Sequence, residues 1–308
     1  RALRPLFWRL AAHKFRSLLT MLGIILGVSS LVAMSALVKG MEVGAKEALV
    51  AIGGLQKFRI EPQFVPVEQR HLRDQAVGLT LRDVYERIWR GGMPALVTGQ
   101  IRDRDLFYRS YVQTYLERDV RDLTQVGDLN AFGRFLRAVA ARTAQMLNYT
   151  DLARDCAISV NTARKWMSVL EGSFQVAILP AYHTNLSKRL YATPKLHFLD
   201  TGLCAYLTEW SSPETLEAGA MSGAVFETFV FGEILKSWHN QGRRPAFHYY
   251  RDKDGREIDL LIPHDGRWHP VEIKKAAWVR ESDAAAFRTM AGRGVRTGPG
   301  AVVCLSAE

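Results

Sequence analysis

The sequence has few cysteines and lacks the motif that most directly identifies an ATP site. Cys156, Cys204 and Cys304 are the only cysteines among 308 residues, and no two of them form a CxxC pair. Their spacing argues against a disulfide framework or a zinc site and favours a reducing compartment. No Gly-x-x-x-x-Gly-Lys-Ser/Thr stretch occurs, so we expect no P-loop and no ATPase activity in this chain.

Positive charge is in excess, but it is unevenly distributed. The formal net charge is +10. Residues 1–84 contain 12 Lys and Arg against 6 Asp and Glu, whereas residues 85–308 contain 29 against 25. Because most of the excess lies in the smaller part, the basic composition alone does not indicate nucleic acid binding.

A long uncharged run lies near the start of the sequence. Residues 18–38, LLTMLGIILGVSSLVAMSALV, would be about 31 Å long as a helix, close to the hydrocarbon thickness of a bilayer. They predict a transmembrane helix, contact with a membrane, and a single-pass membrane location. The basic residues before it predict a cytoplasmic N-terminus: Arg4, Arg9, His13, Lys14 and Arg16. A signal peptide and a buried core helix are the alternatives.

The same part of the chain resembles a transporter family. FWRLAAHKFRSLLTMLGIILGVSSLVAMSALVKG, residues 7–40, is similar to the first membrane helix of the permease subunits of MacB-type ABC transporters. LQKFRIEP, residues 55–62, resembles the first strand of their extracytoplasmic domain. The resemblance covers about residues 1–80, and it implies that one function to consider is that of an ABC transporter permease fragment.

Residues 149–171, YTDLARDCAISVNTARKWMSVLE, have the pattern of a helix-turn-helix unit. Residues 174–180 and 194–200 would then supply the two strands of a wing, which predicts a winged helix. If the second helix enters a major groove, its outward side chains would contact bases and phosphates. These candidates are Asn161, Thr162, Arg164 and Lys165, joined by Lys188 and Arg189 from between the wing strands. The alternative is a module that contacts proteins rather than DNA.

Charged residues also occur within apolar strand patterns near the end of the sequence. In EIDLLI, Asp259 shares one face with Glu257 and Leu261, opposite to Ile258, Leu260 and Ile262. In PVEIKKA, Glu272 and Lys274 lie on the opposite face from Val271 and Ile273. Glu227 is the one acid in the otherwise apolar first turn and a half of a helix pattern at residues 223–238.

Neighbouring carboxylates repel each other unless a cation lies between them, and Mg²⁺ prefers carboxylate ligands. We therefore predict a catalytic set of Glu227, Asp259, Glu272 and Lys274, with a possible Mg²⁺ ion bound by Asp259 and Glu272. Lys274 would orient the attacking water or neutralise charge on a phosphate. The alternative is a surface of ion pairs on an edge hairpin.

The order of a helix Glu, a strand Asp and Glu-x-Lys resembles the PD-(D/E)xK nuclease fold. More broadly, SYVQTYLERDVRDL, KLHFLDTGLCAYL, GAVFETFVFGEILKSW and YYRDKDGREIDLLI resemble a family of prokaryotic ATP-binding proteins. Those proteins pair an AAA-type ATPase domain with a domain called DUF4143. The resemblance covers residues 85–308, the C-terminal half of the family. It implies a DNA-binding, nuclease-like module that works with an ATPase partner or with an ATPase domain missing from this sequence.

Together these patterns predict an α/β fold with an N-terminal transmembrane helix, a helical region with a winged helix-turn-helix, and a PD-(D/E)xK nuclease-like domain. The predicted boundaries are 1–62 for the membrane helix and its flanks, 63–84 for a junction, 85–205 for the winged-helix domain and 206–308 for the nuclease-like domain, whose truncation at the end is left open. We favour a DNA-binding, nuclease-like module, and a non-catalytic protein-interaction adaptor is an alternative.

The two halves of this prediction conflict. A single membrane span would place residues 40–308 outside the cell, although residues 85–308 are cytoplasmic in type. This conflict indicates a join of two genes near Val84. A natural fusion, an assembly error and a deliberate chimera remain open.

Overall fold

A computed structural model describes residues 60–62, 80–115, 128–183 and 192–305, and these belong to the unit Gly54–Glu308. The helices are α1 (Leu81–Arg90), α2 (Pro94–Val97), α3 (Arg104–Thr114), α4 (Leu129–Ala140), α5 (Tyr149–Cys156), α6 (Val160–Gly172), α7 (Thr201–Leu207), α8 (Pro213–Ala218), α9 (Ser222–His239) and α10 (Ala285–Gly292), with a 3-10 helix at Glu281–Ala284. The strands are β1 (Ile60–Pro62), β2 (Gln145–Met146), β3 (Val176–Leu179), β4 (Lys195–Phe198), β5 (His248–Arg251), β6 (Glu257–His264), β7 (Arg267–Lys274) and β8 (Ala301–Cys304).

Helix α1 begins at a capping box. The Thr80 hydroxyl accepts a hydrogen bond from the Asp83 amide, and the Asp83 carboxylate accepts one from the Thr80 amide. These bonds satisfy amide groups that have no partner within the helix. The buried side chains of α1, Tyr85 and Ile88 among them, belong to the larger hydrophobic core.

A polar network around Asp200 joins α1, α3 and α7. One Asp200 oxygen accepts from the Leu203 amide at 2.7 Å and the other from the Gly92 amide at 2.9 Å. The Tyr108 hydroxyl lies 2.9 Å from Asp200 Oδ1. A Cβ atom on Gly202 would lie 2.3 Å from that hydroxyl and 2.5 Å from the Arg90 carbonyl oxygen, so only glycine fits there.

Residues 129–198 fold in the order α4-β2-α5-α6-β3-β4, and the three strands form an antiparallel sheet in the order β2-β4-β3. Asn148 caps α5 and Ser159 caps α6 with their side chains. Between the two helices, Ala157 adopts a left-handed conformation with φ 55°. Helix α6 buries Ala163, Trp166, Met167 and Leu170 against the core.

The second sheet has five strands in the order β1-β8-β7-β6-β5. Strands β7 and β8 run parallel, and the other neighbouring pairs are antiparallel. The hairpin of β6 and β7 pairs Leu260 with Val271 and turns at Asp265 and Gly266, both of which have positive φ. Continued by one residue, this antiparallel register places Asp259 opposite Glu272, and because side chains alternate along a strand, both lie on the face opposite to Leu260 and Val271.

The mixed α/β class agrees with the predicted fold, but the transmembrane helix and the membrane location in that prediction are wrong. Among the described residues, no helix is both long and apolar enough to cross a bilayer. The 18-residue helix α9 carries Glu227, Glu233 and Lys236. Residues 18–38, on which the prediction depended, lie outside the described residues. An uncharged run meets the length condition for a span, but its composition also suits a buried helix.

Candidate functional site

Three structural elements bring acidic side chains together. Helix α9 supplies Glu227, strand β6 supplies Glu257 and Asp259, and strand β7 supplies Glu272. The backbone of β7 also contributes, since the Ile273 amide donates to Asp259 Oδ2 at 2.9 Å. The sequence pattern had predicted this convergence for Glu227, Asp259 and Glu272.

A buried lysine from the other sheet lies among these acids. The Lys195 side chain on β4 is only 3% exposed. Its Nζ atom lies 2.9 Å from Glu227 Oε1 and 3.3 Å from Asp259 Oδ1, and it forms a third ion pair with Glu257. The same ammonium lies 5.6 Å from the centre of the Tyr249 ring. Lys195 therefore links the three-stranded sheet to the acidic face of the five-stranded sheet.

Glu272 is partnered on one side only. Its Oε1 atom lies 2.6 Å from Lys274 Nζ, and the Lys274 side chain is 42% exposed. Its Oε2 atom is buried and has no hydrogen-bond partner among the described residues. A buried carboxylate oxygen without a partner is costly, so the cluster includes one polar atom whose hydrogen-bonding capacity is unused.

The carboxylates are crowded enough to favour proton binding. Burial, followed by the charge of Asp259, raises the pKa of Glu227 to about 8. Burial and the charge of Asp259 also raise the pKa of Glu272 to about 7. Burial by itself would lower the pKa of Lys195, but the charges of Glu227, Asp259 and Glu257 outweigh it and raise that pKa. Lys195 is therefore the group that stays charged near neutral pH, and Glu227 and Glu272 are the groups that take up protons.

The predicted catalytic lysine is less closely involved in the cluster. Burial opposes the charge of Lys274, but its hydrogen bond to Glu272 raises its pKa. Ion pairs join Lys274 to Glu272, whereas Glu227 and Asp259 are paired with Lys195. The structure thus divides the predicted set between two lysines.

As arranged, these residues do not fit a divalent metal ion. No group of three or more His, Cys, Asp or Glu side chains that could hold a metal occurs in residues 80–115, 128–183 or 192–305. The Lys195 ammonium takes the place between Glu227 and Asp259 that such an ion would need. Mg²⁺ binding by Asp259 and Glu272 stays a prediction from the sequence, and we derive no chemical step through a metal.

The predicted DNA-contacting residues lie mostly on the exposed side of α6. Asn161, Arg164 and Lys165 are exposed, and Thr162 is half-buried with its hydroxyl 2.8 Å from that of Ser159. The Arg164 guanidinium stacks over the Tyr149 ring at 4.4 Å. Lys188 and Arg189 lie outside the described residues.

Sequence reasoning missed Lys195 and did not include Glu257 in the site. Strand β4 was predicted as part of a wing, and a lysine at the start of such a strand normally lies in solvent. The only available signal was that Lys195 begins a short strand. The structure buries all four residues of that strand, Lys195–Phe198.

Two family models match parts of the chain. Residues 81–214 match the domain of unknown function DUF8612, and residues 222–308 match the domain of unknown function DUF4143. The predicted DUF4143 resemblance is therefore confirmed for residues 222–308. Neither match reaches the residues before 81, for which the permease resemblance was predicted.

Two curated relatives match the chain to the same extent. An uncharacterized protein of Mycobacterium bovis and one of Mycobacterium tuberculosis are each 29% identical over 206 residues. The alignment covers 65% of this chain and 46% of each relative, so the chain spans about half the length of these relatives. No solved structure matches the chain.

Proposed function

We propose that this chain, whose residues 222–308 form a DUF4143 domain, binds nucleic acid. In this proposal, α6 is the helix that contacts duplex DNA. The order α4-β2-α5-α6-β3-β4 supports a winged helix, a module in which the second helix of the helix-turn-helix lies in the major groove. The ATPase partner expected from the resemblance remains part of the proposal.

One observation carries this proposal: α6 is buried on one face and presents a polar, basic face to solvent. Trp166 and Met167 anchor the helix in the core, while Asn161, Arg164 and Lys165 project outward from its first turns. Arginine and lysine can contact phosphates, and asparagine can pair with adenine in the major groove.

The acids near this face are already paired with arginines. Asp155 pairs with Arg142, and Asp151 pairs with Arg154 at 2.9 Å. Because these pairs compensate the carboxylate charges locally, they weaken the repulsion between α5 and a phosphate backbone. No ion pair of the described residues involves Lys165 or Arg164, whose guanidinium stacks over Tyr149, so no carboxylate competes with a phosphate for either charge.

Phosphodiester cleavage is not part of the proposal. Cleavage in a PD-(D/E)xK-type site would need the acids to hold a metal, and Lys195 already pairs with Glu227, Glu257 and Asp259. The acid cluster is therefore proposed as a structural feature of a binding module.

A salt titration of duplex binding tests the proposal. Binding of a fluorescently labelled mixed-sequence duplex of about 20 base pairs would be followed by anisotropy for the wild type and for Arg164→Ala/Lys165→Ala. The control is Lys253→Ala/Arg267→Ala, which removes the same charge from exposed positions on the β5–β6 turn and the start of β7. Each lost phosphate contact should lower the slope of log affinity against log salt by about 0.9.

We expect the α6 variant to lose at least about tenfold in affinity at low salt and to show the shallower slope, and the control to behave like the wild type. Equal binding by the two double variants would contradict the assignment of α6. Duplex binding that is absent, or that does not respond to salt, would contradict the proposed function and favour a protein-contact module.

A further inference from the structure

We infer that the ammonium group of Lys195 is the resident cation of the acid cluster and that it excludes divalent metal ions from it. This inference does not depend on DNA binding, because it concerns only the contacts between β4, β6 and α9. It assigns Lys195 a role that the catalytic set predicted from the sequence did not contain.

The geometry of the three contacts supports this role. A lysine ammonium has three N–H donors and no acceptor. Lys195 faces three carboxylates, those of Glu227, Glu257 and Asp259, so each donor has its own acceptor. Glu227 comes from helix α9, and Glu257 and Asp259 come from strand β6 of the five-stranded sheet. The Lys195 side chain, from the three-stranded sheet, therefore brings all three acceptors around one atom.

Because the acid cluster is buried, it favours a cation that is fully paired with its carboxylates, as the Lys195 ammonium is. With its side chain 3% exposed, Lys195 has almost no contact with water, and a buried charge is tolerated only when it is paired. Removing the carboxylates would leave the ammonium unpaired, and removing the ammonium would leave the carboxylates repelling one another. Each partner therefore requires the other.

A metal ion bound to the same oxygens would meet this ammonium at close range. Mg²⁺ binds oxygen at about 2.0–2.1 Å. The Lys195 nitrogen lies 2.9 Å from Glu227 Oε1, so a metal on that oxygen would be at most about 5 Å from a positive charge. Among the described residues, Glu272 Oε2 is the only fully buried oxygen of the cluster without a hydrogen-bond partner, and one such oxygen is too few to hold a hard cation.

Manganese binding to the 308-residue chain tests this inference. Mn²⁺ is the probe because its free form is measured directly by electron paramagnetic resonance. The proteins are the wild type, Asp259→Asn, Lys195→Met and the double variant Lys195→Met/Asp259→Asn, all at pH 7.5. Methionine keeps an unbranched side chain at position 195 and removes the charge. Circular dichroism would establish which variants are folded.

We expect the wild type and Asp259→Asn to bind Mn²⁺ equally weakly, with less than one ion per chain at about 100 µM, in the range of weak calcium-type sites. Lys195→Met should gain one ion with at least tenfold higher affinity, and the double variant should lose that gain. A wild type that binds one Mn²⁺ tightly, with the affinity lost in Asp259→Asn, would overturn the inference.

A folded Lys195→Met protein that binds no more Mn²⁺ than the wild type would also overturn it, because the lysine would then not be the excluding group. If Lys195→Met does not fold, the comparison of the wild type with Asp259→Asn still decides whether the cluster binds a divalent ion, and one tightly bound Mn²⁺ in the wild type alone would overturn the inference. A difference in duplex binding among these proteins would concern only the proposed function and would leave the metal result unchanged.

Discussion

The Lys195 Nζ atom lies 3.3 Å from Asp259 Oδ1, although the two residues belong to different sheets. The other oxygen of Asp259 accepts the Ile273 amide of the neighbouring strand. Asp259 therefore joins a hydrogen bond within the five-stranded sheet to an ion pair with the three-stranded sheet.

Replacing Lys195 with methionine should strongly destabilise the fold. The change leaves Glu227, Glu257 and Asp259 without their shared cation, and breaking a buried ion pair from one side typically costs about 3–5 kcal/mol. Urea unfolding followed by circular dichroism at pH 7 would measure the free energy of unfolding. The control is Lys253→Met in an exposed turn, for which we expect a change within about 0.5 kcal/mol. Similar losses in both variants would contradict the role of Lys195.

Stability should fall as the pH rises from about 5 to about 8. The pKa values of Glu227 and Glu272 are about 8 and about 7 in the folded chain, whereas a glutamate in water has a pKa of 4.5. The folded state therefore binds more protons than the unfolded state in this range, so the free energy of unfolding decreases with pH. Urea unfolding at several pH values would show this slope, which is opposite to that of a carboxylate with a lowered pKa.

Glu272→Gln should make that slope shallower, because glutamine carries no titratable proton. Each pKa unit is worth about 1.4 kcal/mol, so we expect the loss of stability between pH 5 and pH 8 to shrink by at least about 1 kcal/mol. Glu281→Gln is the matched control, since the Glu281 side chain is exposed and pairs with Arg288 on the surface. An unchanged slope in Glu272→Gln would show that Glu272 is not one of the groups that bind the protons.

Gly202→Ala should destabilise the chain by about 2–4 kcal/mol through overpacking. The added methyl group would lie 2.3 Å from the Tyr108 hydroxyl and would disturb the network around Asp200. Gly223→Ala is the matched control, because it lies exposed in the first turn of α9 with no atom within 4 Å of the new Cβ. Its expected effect is a gain of about 0.5–1 kcal/mol. Thermal or urea unfolding of both variants would test this difference, and equal effects would contradict it.

Ala157→Gly should stabilise the turn between α5 and α6. Ala157 has φ 55° at the end of α5, a conformation that costs an L-residue about 1 kcal/mol and glycine very little. Ala141 also follows a helix, α4, but with an ordinary φ of −63°, so Ala141→Gly should be neutral or slightly destabilising. Unfolding measurements on both variants would compare them, and a loss of stability in Ala157→Gly would be inconsistent with the observed conformation.

Local sequence patterns predicted the elements that carry the acid cluster. The alternation around Asp259 and Glu272 corresponds to strands β6 and β7, and the apolar periodicity around Glu227 corresponds to α9. These elements could be predicted because periods of two and of 3.6 residues are set by the neighbouring residues alone.

The partner of these acids could not be found in the same way. Lys195 is 64 residues before Asp259 and lies in another sheet, so nothing in the local pattern of β4 indicates that it is buried against carboxylates. The prediction therefore assigned a divalent ion to Asp259 and Glu272 without taking account of Lys195, which pairs with Asp259. A pattern can show that carboxylates converge, but the identity of their counter-ion depends on tertiary contacts.

Anomalous diffraction from crystals of the chain soaked in MnCl₂ would test the resident-cation account most directly, because it locates both the metal and the lysine. The account predicts no anomalous peak within bonding distance of Glu227, Asp259 or Glu272, and continuous electron density for the Lys195 side chain reaching Glu227 and Asp259. A manganese peak bonded to Asp259 and Glu272, with the lysine displaced from the cluster, would contradict it.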